Sequence, residues 1–268
     1  MIFVEYNQLR HYYIIIFNMN KFFLKFKNFF ENKKKIYWII FAISAFGVIF
    51  SILGCIHNAW GTNVEYFYYF FTYQTNTLVA IFYLLIAINV NYKYKKLNFV
   101  HNEKLKVAIA TYMGLLILTV FLLMIPLEIF QSFGLGKGAT TTFNNNYDMS
   151  GNWYYYFGNI IKNLIIHLIV PLLVIGEIFF SNNSETKFSA PLFWTIAVYP
   201  VIYLINAFLI GYFTGIYPYA IFNTNLYDVW LVIIFIFIEV LFYSMGYFIS
   251  LRRTKNYKNQ NIKNKVNL

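Results

Sequence analysis

The stretch Lys33-Lys34-Lys35 followed by Ile36-Tyr-Trp-Ile-Ile-Phe-Ala-Ile-Ser-Ala-Phe-Gly-Val-Ile-Phe-Ser-Ile-Leu-Gly-Cys-Ile56 decides the fold: three lysines, then twenty-one residues without a charge. As an α-helix that run reaches about 30 Å, the thickness of the hydrocarbon core of a bilayer. Five further apolar runs of about span length, some carrying one or two charges, lie at Tyr66–Val90, Val107–Phe130, Asn159–Phe180, Pro191–Phe213 and Val229–Ser250. The expected fold is all-α: a polytopic membrane helix bundle with six transmembrane helices. Composition points the same way, with 268 residues that are 60% hydrophobic, 23% aromatic and only 12% charged. A soluble core of this size would leave too few charges to cover its outside, whereas a surface facing lipid needs none.

The formal charge of +11 is placed asymmetrically. Nineteen of the twenty-one Lys and Arg residues fall before Ile36, in Asn91–Lys106, in Ser181–Ala190 or after Leu251, leaving only Lys137 and Lys162. In an alternating path of six spans these segments share one side, so the positive-inside rule puts them, and both termini, in the cytoplasm. Topology and attraction to anionic lipid account for the charge, and no nucleic-acid partner is needed to explain it. The location implied is a cell membrane, crossed several times. A bias toward Phe, Ile, Tyr, Asn and Lys of the kind an A+T-rich genome produces makes position more informative than abundance.

The chain divides into a basic, aromatic-rich cytoplasmic segment (1–35), the six-helix domain (36–251) and a basic cytoplasmic tail (252–268). Tyr12–Phe17 and Phe22–Phe30 are too short and too interrupted to span, which suits an interfacial helix. Translation from Met19, where Met-Asn-Lys-Phe-Phe reads as an ordinary bacterial amino terminus, would remove Met1–Asn18. The run after Lys33–Lys35 is of span length without a small-x-small site, which argues against a cleaved signal. Two external loops stand out: Gln131–Trp153, rich in Gly, Thr and Asn, and Thr214–Asp228, which contains Tyr217-Pro218-Tyr219. The single cysteine, Cys55, excludes an intrachain disulfide and any Cys-based metal cluster.

Polar side chains inside apolar spans are costly, so they mark candidate sites. In the second span Thr72 and Asn76 stand at i and i+4, with Gln74 and Thr75 between them. In the fourth, Asn159, Asn163 and His167 recur every four residues, with Pro171 a turn later. That proline frees a carbonyl and is expected to kink the helix and shape a cavity beside His167. Lys162 near the outer end and Glu177 near the inner end are expected to snorkel outward. Glu239 lies deeper and needs a partner, for which Lys162 and His167 are candidates. Threonines that bond back to the preceding turn, and amides that glue helices together, are the plain structural alternative for each position.

Three motifs together, Phe70-Phe71-Thr72-x-Gln74-Thr75-Asn76, Asn163-x-x-x-His167-x-x-x-Pro171 with Glu177, and Gly215-Ile216-Tyr217-Pro218-Tyr219, resemble the androgen-induced-protein family. The resemblance covers about Tyr66–Phe222 and is closest to uncharacterised bacterial relatives, including mollicute membrane proteins. It implies a six-helix membrane fold and, from the animal branch, hydrolysis of fatty acid esters of hydroxy fatty acids. Thr72 matches the nucleophile of that family and His167 its essential histidine. Two departures stand against the animal pattern: the proline after the histidine sits one residue closer, and Ala220 interrupts the Tyr-Pro-Tyr-Pro-like motif.

Two functions follow as expectations. In the first, a lipid ester binds in the outer half of the bilayer, Thr72 attacks its carbonyl and His167 takes the proton. Gln74, Asn76 and Asn163 are then the candidate donors to the oxyanion, Glu239 a supporting residue, and no metal or other cofactor is required. In the second, the protein transports or binds a small molecule through intramembrane Glu239, Lys162 and His167.

Overall fold

The computed structural model describes residues 21, 24–25, 27–56, 70–119, 153–180, 187–215, 217 and 230–266. All regular structure among them is helical: α1 (Lys33–Ile56), α2 (Phe71–Tyr92), a 3-10 helix (Lys95–His101), α3 (Glu103–Thr119), α4 (Trp153–Leu164), a π turn (Ile165–Ile169), α5 (Val170–Phe180), α6 (Ala190–Thr214) and α7 (Trp230–Val266). Among the described residues, four stretches are long and apolar enough to cross a membrane: α1, α2, Ile160–Phe180 and α6. The expected third span is described only to Thr119. The sixth is described from Trp230, within α7, which runs 37 residues and carries the helix through the basic tail to Val266. Most of the two external loops, and the amino-terminal run Tyr12–Phe17, lie outside the described residues.

α1 and α6 each show a buried stripe and an apolar exposed face, the pattern expected of a bundle in lipid, whereas α3 is buried all round from Lys106 to Leu116. In α1 the stripe is Ile36, Tyr37, Ile40, Ser44, Gly47, Val48, Ser51, Gly54 and Cys55, spaced by three or four residues and made mostly of small side chains beyond Ile40. Ile49, Leu53 and Ile56 of α1, and Ile202, Ile205 and Leu209 of α6, stay exposed. Tyr37 meets Glu177 while Gly47 meets Ile165 and Ile166, so α1 runs antiparallel to the rod formed by α4, the π turn and α5. Asn76 meets Ile166 while Tyr83 meets Glu177, so α2 runs parallel to that rod.

Helix ends are set by local chemistry. α2 stops at Lys93 (φ 54°), whose N–H returns to the Asn89 carbonyl at 2.8 Å, and the Asn89 amide then holds Leu97 of the 3-10 helix. α6 opens after Ser189, with Pro191 in its first turn, where a missing N–H costs nothing. It closes at Gly215, whose φ of 71° suits glycine, and Tyr217 then folds back so that its ring lies directly on Gly211. Phe30, from the amino-terminal segment, is fully buried on Gly176 and stacks on Phe180 at 5.7 Å. That segment is therefore docked on the bundle at Phe30.

One end of the bundle collects the basic segments. Arg253 of α7 is ion-paired with Glu103 of α3, Lys106 pairs with the same carboxylate at 3.4 Å, and the Lys106 ammonium lies 5.9 Å from the centre of the Tyr37 ring of α1. The start of α1, the start of α3 and the late part of α7 thus meet.

Candidate functional site

The site is built around a break in the fourth predicted span. The Val170 N–H reaches back five residues to the Ile165 carbonyl, the register of a π turn. The next residue, Pro171, has no N–H, so the Ile166 carbonyl is left without a donor from its own helix. Asn76 of α2 supplies one: its Nδ2 donates to the Ile166 carbonyl at 3.1 Å and to the Thr72 carbonyl at 2.8 Å. Because both partners are carbonyls, the nitrogen must face them, and the orientation of the amide is fixed. One nitrogen thereby draws the turn that carries Thr72 against the turn that carries His167. A widened turn therefore stands just before Pro171, where the sequence predicts a kink.

Thr72 is buried, 6% exposed, on the same face of α2 as Asn76. Thr75 and Thr77 each return their hydroxyl to the carbonyl four residues back, at 2.6 and 2.8 Å. Among the described residues no such bond ties Thr72. His167 sits at the centre of the π turn, half-buried, and its Nδ1 is enclosed without a hydrogen-bond partner. Asn163, one turn earlier, is also half-buried.

The polar run in α2 does not act as one surface. Gln74 and Thr75 face α6, where the Tyr199 hydroxyl lies 3.4 Å from the Gln74 Oε1 and 3.3 Å from the Thr75 hydroxyl. Gln74 there lines an open groove of about 310 Å³ with Tyr199, Tyr203 and Asn206. Nor does Asn76 suit the expected role of oxyanion donor, since both its N–H groups are spent on carbonyls. Of the three candidate donors, Asn163 alone lies beside the π turn with no such commitment among the described bonds.

Two charged residues depart from expectation. Lys162 does not snorkel outward. It is 6% exposed, and its ammonium donates to the Tyr73 hydroxyl at 3.2 Å and lies 5.8 Å from the centre of that ring. Glu177 does not snorkel either. It is fully buried and accepts from the Tyr37 and Tyr83 hydroxyls at 3.4 and 3.3 Å. The reason is helical phase: Val170, Val174 and Glu177 share the inward stripe of α5, a spacing readable in the sequence. Glu239 is half-buried and takes the hydroxyl of Tyr243 on its own helix. Neither Lys162 nor His167 is a partner among its described contacts.

Fold and site together define, among the described residues, a helical protein with four stretches able to cross a membrane by length and composition, and a polar cluster between α2 and the π turn. The chain matches no family, no curated protein and no solved structure.

Proposed function

We propose that this is a multi-pass protein of the cell membrane, with six spans and cytoplasmic termini, that hydrolyses a lipid ester with Thr72 as nucleophile and His167 as general base. The observation that carries the reading is the Asn76 clamp, which ties the Thr72 turn to the π turn of His167. It agrees with the resemblance to the androgen-induced-protein family. The free hydroxyl of Thr72 among the described residues supports it further, because a threonine spent on its own helix would be a poor nucleophile.

In the proposed reaction the Thr72 oxygen attacks the acyl carbonyl while His167 Nε2 takes the hydroxyl proton. The proton passes to the leaving alkoxide, the alcohol departs and an acyl-threonine remains. Water then attacks that ester, His167 accepts the water proton and returns it to the Thr72 oxygen, and the fatty acid leaves. Asn163 is the candidate donor to the oxyanion. Location in the outer half of the bilayer suits an amphiphile whose chain stays in lipid while its ester reaches interfacial water.

The test is labelling of the protein in nanodiscs with a fluorophosphonate, comparing wild type with Thr72→Ala and His167→Ala after each is shown to be folded. Label on Thr72 that is lost in both variants is the expected result. A folded wild type that takes no label overturns the nucleophile.

A further inference from the structure

Among the described residues, seven buried side-chain atoms have no hydrogen-bond partner, and three of them belong to elements that meet at the π turn: Ser44 Oγ of α1, Asn76 Oδ1 of α2 and His167 Nδ1 of the turn itself. Their meeting follows from the packing. A methyl group at Gly47 would meet the Ile165 and Ile166 side chains at 2.9 and 3.0 Å, so α1 touches the π turn there. Ser44 is three residues earlier on the same buried stripe, about 4.5 Å along the helix. Since α1 is antiparallel to the rod, Ser44 stands within one turn of His167. Asn76 lies level with Ile166, the neighbour of His167, and its fixed amide leaves Oδ1 as an acceptor. Ser44 and Asn76 are both fully buried.

Orphaned polar atoms inside a low-dielectric interior are costly, and buried waters characteristically make about three bonds to such groups. We infer that Ser44 and Asn76 position His167 through one bridging water. The water accepts from the Ser44 hydroxyl, donates to Asn76 Oδ1 and makes its third bond to His167 Nδ1. Bond counting fits either tautomer of the ring. With the proton on Nδ1 the water accepts it and Nε2 is left bare, which is the state a base toward Thr72 requires. The bridge is argued from the level of the three residues along their packed helices and from their unpartnered atoms, and only this choice of tautomer rests on the hydrolase reading. Asn76 then has two roles, as a clamp through its nitrogen and as a positioning residue through its oxygen.

The test uses the full chain in lipid with 15N-labelled histidine, the His167 signals being assigned by their loss in His167→Gln. Water-edited solid-state NMR reads transfer from water protons to the Nδ1 of His167, and the 15N shifts read the tautomer. Transfer is expected in wild type, lost in Ser44→Val, which removes the hydroxyl that anchors the water, and kept in Ser44→Thr, which has the shape of valine but retains the hydroxyl. Thr72 labelling should fall about 10-fold in Ser44→Val and recover in Ser44→Thr, in line with the loss of other outer-shell partners. No transfer in wild type, or transfer that persists in Ser44→Val, overturns the bridge. If transfer follows the expected pattern but the proton sits on Nε2, or Thr72 takes no label, the bridge stands and the hydrolase reading fails.

Discussion

At the scale of single residues, the most demanding group is Glu177, which has no exposure and depends on two hydroxyls from two other helices. Removing the carboxylate orphans both tyrosines. Glu177→Ala is therefore expected to lower stability by about 1–3 kcal/mol per orphaned hydroxyl, read as a fall in melting temperature in detergent. Glu177→Gln retains an amide oxygen that can accept from one tyrosine, and its loss should be clearly smaller. Equal losses for the two variants would mean that packing, and not the hydroxyl bonds, is what Glu177 provides. Here the sequence was only half legible. That Glu177 and Lys162 lie within apolar spans could be read directly, but the groups that hold them inside stand far away in the chain: Tyr37 is 140 residues from Glu177, and Tyr73 is 89 residues from Lys162. Snorkelling is the economical choice for a charge whose partner is not visible, and a buried hydroxyl donor or acceptor reverses it.

At the scale of elements, two prolines inside helices are handled by one device. Pro171 and the π register leave the Ile166 carbonyl to Asn76, while Pro200 leaves the Ile196 carbonyl, four residues back, to the Tyr112 hydroxyl of α3 at 3.2 Å. Each proline is thereby a point where a neighbouring helix is tied on. The two should respond differently to alanine. Pro171→Ala returns an N–H and lets the turn revert to α register, which removes one residue from the turn and swings what precedes it by about 100°. Thr72 labelling should then be lost, and the melting temperature should fall as Lys162 is drawn off Tyr73 and the Ile166 carbonyl off Asn76. Pro200→Ala should leave labelling intact, because Tyr112 still has the Thr195 carbonyl at 2.9 Å. Labelling that survives Pro171→Ala would separate the π turn from the chemistry. Close packing sets a second limit on this element. Gly47→Leu must displace Ile165 and Ile166, and should cost about 1–3 kcal/mol by overpacking while also reducing labelling. Proline positions and the i, i+4 stripe were plain in the sequence. The π register was not, since it is decided by which donor reaches Ile166 from another helix.

At the scale of the whole molecule, helical class and apolar spans follow from composition and run length, because hydrocarbon admits few other solutions. Pairing of the helices does not, since lipid-facing and protein-facing leucines look alike in a sequence. What carries the pairing is a few long-range polar ties, and one of them spans the chain: Arg253 on Glu103, with Lys106 beside it and the Tyr37 ring below. This tie fixes which helix ends share a side, and so makes the topology testable. Phe71 at the start of α2 packs on Tyr203 of α6, with ring centres 5.1 Å apart, so Tyr212, farther along α6, lies beyond the start of α2. Lys93 lies beyond its other end. With Cys55 changed to serine, cysteines at Lys93 and Arg252 should react with an impermeant maleimide only after the cells are opened, and a cysteine at Tyr212, which is 80% exposed, should react in intact cells. Reaction of all three in intact cells, or of none, would break the assignment of the basic end to the cytoplasm. The ion pair supplies an independent check of the same geometry. Arg253→Glu alone sets two carboxylates against each other and should lower the melting temperature, whereas Arg253→Glu combined with Glu103→Arg should restore part of it. A double variant no better than the single one would mean that α3 and α7 are not held together at this end.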